Sequence, residues 1–265
     1  MTRVLRAEWT KLRTLRSTTW SMLLLFGLTV GLGAFFAAGS EFTAGGSQTT
    51  ATVAGEGNDL VRDSLVGVYL GQFAVVAFAT LAITSEYATR MILATFTAIP
   101  RRGRVLVAKA ALVGGTVLVV SLVATTAAFV LGQQLLRDSG YAPPAYPEWD
   151  LGDGPAQRAV LGSALFLTAL ALLSLGLGTI LQHSAATIST LLAVLFVPLI
   201  VAPLLPDQTR EIVQKATPGA GLAAQQTVAR DDALPIGPWA GLAVTFAWAA
   251  AALLLALLLI RRRDA

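Results

Sequence analysis

Hydrophobic positions in this chain gather into six nearly charge-free blocks divided by short polar stretches. The blocks are Trp20–Ala38, Ser64–Thr84, Val105–Leu131, Ala159–Leu181, Ala186–Leu205 and Trp239–Ile260. A helix crossing a hydrocarbon core about 30 Å thick needs about 20 apolar residues, each rising about 1.5 Å. Each block meets that length. The pattern predicts an all-α, polytopic membrane protein whose six spans form one domain over residues 1–265. The third block is long enough to begin outside the core, with Lys109 snorkelling to the interface. The fourth and fifth are parted only by Gln182, His183, Ser184 and Ala185. No bilayer holds both as one helix, so a tight hairpin is expected, with His183 a polar turn residue rather than a ligand. The first block exceeds the usual signal-peptide core of about 7–15 residues, which predicts an uncleaved anchor.

Composition agrees with lipid as the main solvent. Of 265 residues, 55% are hydrophobic and only 13% charged, against about 25% charged in soluble domains. The net charge of +4 does not point to nucleic acid, because the basic residues flank apolar blocks and form no stripe on a polar domain. Their placement predicts orientation instead, since Lys and Arg concentrate in cytoplasmic loops. With the first span running outward, thirteen basic residues fall inside and six outside. The inside groups are Arg3 to Arg16, Arg90 to Lys109, and Arg261 to Arg263. Both termini are therefore expected in the cytoplasm, with the protein multi-pass in the cell membrane.

Two inside segments carry more pattern than a plain loop needs. Residues 3–16 read as an amphipathic helix, with Leu5, Trp9 and Leu12 on one stripe and Arg3, Arg6, Lys11 and Arg13 elsewhere. Such a helix lies in the headgroup plane, as a simple anchor or as an elbow that joins cytoplasmic motion to the first span. The stretch Ser85–Arg104 is too polar at its ends to span and too apolar at its centre to be a linker. Met91, Leu93, Phe96 and Ile99 form one face of a short helix ended by Pro100, and Arg101, Arg102 and Arg104 follow. Either the protein's own helix ends or another protein would cover that face, unless the stretch is a solvated inside loop with its expected arginines.

The spans hold no ionisable residue at their centres. Such a charge costs at least about 2.5–3.5 kcal/mol, and chains keep it mainly for relays and ion coupling. An ion-driven transporter is therefore disfavoured. Uncharged polar residues do occur. Tyr69, Gln72, Thr80 and Thr84 share a face of the second span, and Thr187, Ser189 and Thr190 cluster on the fifth. They can line a path or bond neighbouring helices. Small residues four apart (Gly27 and Gly31, Gly67 and Gly71, Ser174 and Gly178) favour close helix packing. No phosphate-binding loop, zinc motif or nucleophile elbow is present, and there are no cysteines. Neither enzymatic activity nor a cofactor is expected of this chain. The third outer loop, Pro206–Gly237, has room for two short helices, the first capped by Asp207 and the pair broken at Pro218–Gly219.

The opening RAEWTKLRTLRSTTW, SEY followed by IPRRGR, the pair LSLGLGTILQHSAATISTLLAVLFVPL and the segment ATPGAGLAAQQ resemble, in that order, the permease subunits of type-2 ABC exporters of actinobacterial kind. The resemblance implies a six-span permease that pairs with a second permease subunit and with separate ATPase subunits that hydrolyse ATP. It also implies a coupling helix over Glu86–Arg102, in which Glu86, Arg90, Pro100, Arg101 and Arg102 shape the ATPase contact. Tyr69, Gln72, Thr80, Thr187 and Thr190 become candidates to line a path for neutral or amphipathic cargo. The alternative is a non-transporting membrane protein, an anchor or immunity-type protein.

Overall fold

The structure, a computed structural model, describes residues 2–14, 16–44, 59–89, 102–138, 150–227 and 234–262. Among them all regular structure is helical, and six helices are long and apolar enough to cross a membrane. Span 1 lies in the helix Arg16–Ala44, span 2 is Val68–Ala88, span 3 lies in Arg102–Asp138, span 4 is Gly154–Leu181, span 5 is Ser184–Val201 and span 6 is Pro238–Arg262. A separate helix, Thr2–Thr14, precedes span 1.

Span 4 is the axis of the bundle. Of its most apolar stretch 72% is buried, against 17% for span 6. It packs on spans 2, 3 and 6, while span 1 packs on spans 2 and 3. Hydroxyls inside the bundle mostly bond carbonyls of their own helix, as Thr84 does to Thr80 (2.9 Å) and Ser174 to Leu170 (2.6 Å). This satisfies them where no water is available. Two also reach across: Ser121 donates to Ala164 and Thr125 to Val160, both at 3.3 Å, fastening span 3 to span 4. Small residues make closer contacts. A Cβ on Gly67 would stand 1.9 Å from the Thr29 carbonyl oxygen, so this glycine is what lets span 2 meet span 1. Gly71 packs on the same threonine, whereas Gly27 and Gly31 meet nothing within 4 Å.

The hairpin between spans 4 and 5 is tighter than four residues. Gln182 takes a left-handed conformation (φ 56°) and its N–H returns to Gly178. His183 then caps span 5, its Nδ1 accepting from the Ala186 N–H at 3.3 Å. Span 2 starts and ends four residues later than its hydropathy suggests. Asp59 caps the short helix Leu60–Ser64, and a turn through Gly67 separates that helix from the span. At its other end the helix runs on through Ser85 to Ala88, because Ser85 bonds back to Leu81 and Glu86 finds buried partners. Span 3 is 37 residues long, about 55 Å.

At the end of the bundle away from the Thr2–Thr14 helix, the loop between spans 5 and 6 folds inward. It contains the helix Asp207–Ala216 and a 3-10 segment, Pro218–Gln225. Asp207 is the first residue of its helix rather than its cap; the cap position is Pro206, and Asp207 pairs with Arg210 at 3.4 Å. The 3-10 segment is buried between spans 4 and 6. A Cβ on Gly241 would lie 2.1 Å from the Ala220 carbonyl oxygen. Thr245 donates to the Pro218 carbonyl at 2.8 Å, and Gln225 donates to Ser163 at 3.0 Å. Next to it, buried Asp59 accepts from the Thr227 N–H (2.6 Å) and hydroxyl (2.5 Å). Gln133 of span 3 donates to the Leu60 carbonyl at 3.2 Å and to Ser64 at 2.9 Å.

Candidate functional site

Among the described residues, two carboxylates and two ammonium groups form a cluster where the Thr2–Thr14 helix meets spans 2 and 3. Lys109 stands two turns into the helix of span 3 and is buried rather than snorkelling. Its Nζ lies 2.9 Å from Glu8 Oε2, 2.9 Å from Glu86 Oε1 and 3.1 Å from the Ala82 carbonyl oxygen. Those three contacts use all three ammonium protons. Lys11 closes the ring at 2.9 Å from Glu8 Oε1 and 3.2 Å from Glu86 Oε1. Glu8 and Lys11, three apart on one helix, present their charges to the same side. Glu86 Oε2 is buried and accepts no hydrogen bond.

Glu8 and Lys11 are held in their charged forms. Burial pulls the Glu8 carboxyl upward, but the charge of Lys109 and hydrogen bonds from Lys11 and Lys109 outweigh this and hold it below the usual carboxylate range. Burial likewise pulls Lys11 down, and the Glu8 hydrogen bond with the field of Glu86 more than restores it. Opposite charges this close stabilise each other's ionised state. The arrangement joins three elements at one end of the bundle through charge-assisted bonds, and residues 90–101 follow span 2 in sequence four residues after Glu86.

The sequence pattern did not reveal this pairing. A signal was present, however: two of the chain's three lysines are among the four partners, with Glu8 and Glu86. The elbow reading placed Trp9 on the stripe that faces lipid, and Trp9 is 49% exposed on the protein surface, while Glu8 (3% exposed) is the residue turned inward. Leu5 and Leu12 lie within the helix, their side chains outside the described set. Of the residues expected to meet an ATPase, Glu86 is buried in the cluster. Arg90, Pro100 and Arg101 lie outside the described residues, as do Met91, Leu93, Phe96 and Ile99, and Arg102 opens the helix of span 3.

The candidate path residues separate into three environments. Tyr69 and Gln72 line a cavity of about 110 Å³ between spans 2 and 5, which Gln214, Thr217, Leu222 and Gln226 of the loop between spans 5 and 6 also line. Thr80, Thr84 and Thr187 are buried. Thr84 and Thr187 pack near Gly178, and Thr187 donates to the His183 carbonyl at 2.9 Å. Thr190 is exposed on span 5. Within one copy of the chain these side chains do not line a single passage.

Among the described residues no group of three His, Asp or Glu side chains is placed to hold a metal ion. The six long apolar helices make this a multi-pass helical membrane protein. Compared with known proteins, the chain matches no family model, no curated protein and no solved structure.

Proposed function

We propose that the chain is the membrane-spanning subunit of an ATP-driven exporter. It would work in the cytoplasmic membrane with a second permease subunit and with ATPase subunits on separate chains. In this reading both termini are cytoplasmic, as the distribution of Lys and Arg requires. The Thr2–Thr14 helix lies in the headgroup layer with Trp9 at the acyl boundary. One observation carries the proposal: the Glu8–Lys109–Glu86–Lys11 cluster joins that helix to the bases of spans 2 and 3. Spans 2 and 3 flank the apolar-centred segment 90–101, so a push there reaches all three elements at once. Charge-free span centres leave no group for ion coupling, and this favours a power source on another chain. Glu86 would act from within, holding span 2 in place, while Arg90, Pro100, Arg101 and Arg102 would form the contact.

The test is co-purification. Replacing Arg101 and Arg102 together by Glu is expected to remove an ATPase partner while membrane insertion stays intact. An ATPase recovered equally with wild type and variant would sink the docking claim. Recovery of no ATPase with wild type would favour the non-transporting reading.

A further inference from the structure

The loop between spans 5 and 6 dips into the thickness of the bundle and returns. Span 6 is apolar over Pro238–Ile260, 23 residues, or about 35 Å against a hydrocarbon core about 30 Å thick. Centred on that core, Thr245 lies about 8 Å and Trp248 about 13 Å below its edge. Thr245 donates to the Pro218 carbonyl and Trp248 Nε1 to the Ala216 carbonyl, both at 2.8 Å. Side chains lean toward the start of their helix, which places Ala216 and Pro218 about 5–10 Å deep. Span 5 gives the same level. A Cβ on Gly219 would stand 4.0 Å from the Leu195 carbonyl oxygen, and Leu195 lies six residues before the end of span 5 at Val201, about 9 Å along the helix.

What descends to that level is unsuited to acyl chains. The helix Asp207–Ala216 has no buried residue. Its ion pairs run along its own surface, Asp207 with Arg210 and Glu211 with Lys215, and these side chains are 43–92% exposed. Its last turn is also open. Trp248 takes the Ala216 carbonyl, but among the described residues no backbone N–H donates to the carbonyls of Gln214 and Lys215. Pro218, which follows, has none to give. The chain then reverses at Thr217 in extended conformation (ψ 155°). Charges and irregular backbone at membrane depth are kept where protein or water covers them. The exposure of this helix leaves water.

We propose that the Asp207–Ala216 helix lines a water-filled recess beside spans 5 and 6, on both of which it packs. The recess opens at the end of the bundle away from the Thr2–Thr14 helix and reaches down to the level of Thr245. Water in it bonds the Gln214 and Lys215 carbonyls and solvates both ion pairs. Small polar solutes and ions enter it from that face, while the apolar faces of other spans at the same level meet lipid. The inference needs only that the chain spans a membrane, so it stands or falls independently of ATP-driven export.

The chain has no cysteine, so single cysteines report cleanly on access. Gln208→Cys marks the outer part of the helix, Ala216→Cys its deep end and Val119→Cys a lipid-facing control. Val119 is 63% exposed on span 3. It is level with the deep end, because nearby Ser121 bonds Ala164, and Phe166 and Thr245 both border Gly221. Each variant of the full chain is placed in lipid nanodiscs and treated with a membrane-impermeant cationic methanethiosulfonate, and labelling is followed by intact mass. Only a thiolate reacts, and burial in lipid keeps the thiol protonated. Ala216→Cys is expected to label within about tenfold of the rate of Gln208→Cys, and Val119→Cys about a hundredfold slower. Lys215→Cys, one residue away, decides the matter if Ala216→Cys does not fold. Labelling of the deep site as slow as that of Val119→Cys overturns the proposal, whether lipid or a second chain covers the helix. Fast labelling of all three overturns it too, because that level would then lie outside the hydrocarbon.

Discussion

Replacing Lys109 with Met removes the centre of the ion cluster and keeps most of the side chain's volume. The wild-type ammonium is 2.9 Å from a carboxylate oxygen of Glu8 and of Glu86. At an effective dielectric near 20, each contact is worth about 6 kcal/mol before desolvation is subtracted. Desolvation takes back much of this. Removing one member, however, leaves two buried carboxylates facing mainly Lys11, and loss of one partner of a buried pair costs about 3–5 kcal/mol. The assay is unfolding by SDS in mixed micelles, followed by tryptophan fluorescence, on Lys109→Met, Glu8→Gln and the double variant. Each single change is expected to destabilise the protein, and the double by clearly less than the sum, with a coupling of about 1.5 kcal/mol or more. Singles within about 0.5 kcal/mol of wild type that simply add would refute the idea that the cluster holds the N-terminal helix.

Three further outcomes follow from named contacts. Because the Glu8 carboxyl is held low, its contribution is present above about pH 4.3 and is lost as pH falls through its lowered value; because Lys11 is held high, its contribution is full below about pH 10.4 and is lost as pH rises through its raised value. Stability measured against pH should therefore be flat from about 5 to 9, and a steep change between 6 and 8 would contradict this assignment. Gly67→Ala places a methyl against the Thr29 carbonyl and should cost about 1–3 kcal/mol by overpacking, whereas Gly27→Ala, with open space around it, should stay within about 0.5 kcal/mol in the same unfolding assay. Asp59→Ala removes the cap of the short helix and both bonds from Thr227 and should cost about 2–4 kcal/mol.

The spans were legible because a bilayer imposes a length and an absence of charge, both visible in a single block of sequence. The hairpin at Gln182–His183 was legible for the same reason: a continuous helix would have been too long. The start of span 2 was not, because Ser64 and Val68 are equally acceptable to a hydropathy window. The choice is made by Asp59, which caps a separate helix and bonds Thr227, 168 residues away in sequence. The sequence pattern allowed a second short helix at the break Pro218–Gly219, but did not show that the segment Pro218–Gln225 would be buried. Its small residues suit a wedge between two helices, but nothing local says which two. The ion cluster was hidden most completely. Lys109 was read as a residue that escapes the core, because its partners Glu8 and Glu86 come from two other helices. Burial of a charge becomes sensible only once they are in place.

Span 3 carries both Lys109 and Gln133, 24 residues apart, or about 36 Å along one helix that no proline interrupts. Lys109 is gripped at one end by Glu8 and Glu86, and Gln133 at the other by Leu60 and Ser64. A bar of that length turned by about 5° about its midpoint swings each end by about 1.6 Å, in opposite directions, which is more than a hydrogen bond can stretch. Its neighbours must therefore swing with it, or one grip must open. The helix is a see-saw, and a tilt imposed beside the N-terminal helix arrives with reversed sense beside the latch of Asp59 and Thr227.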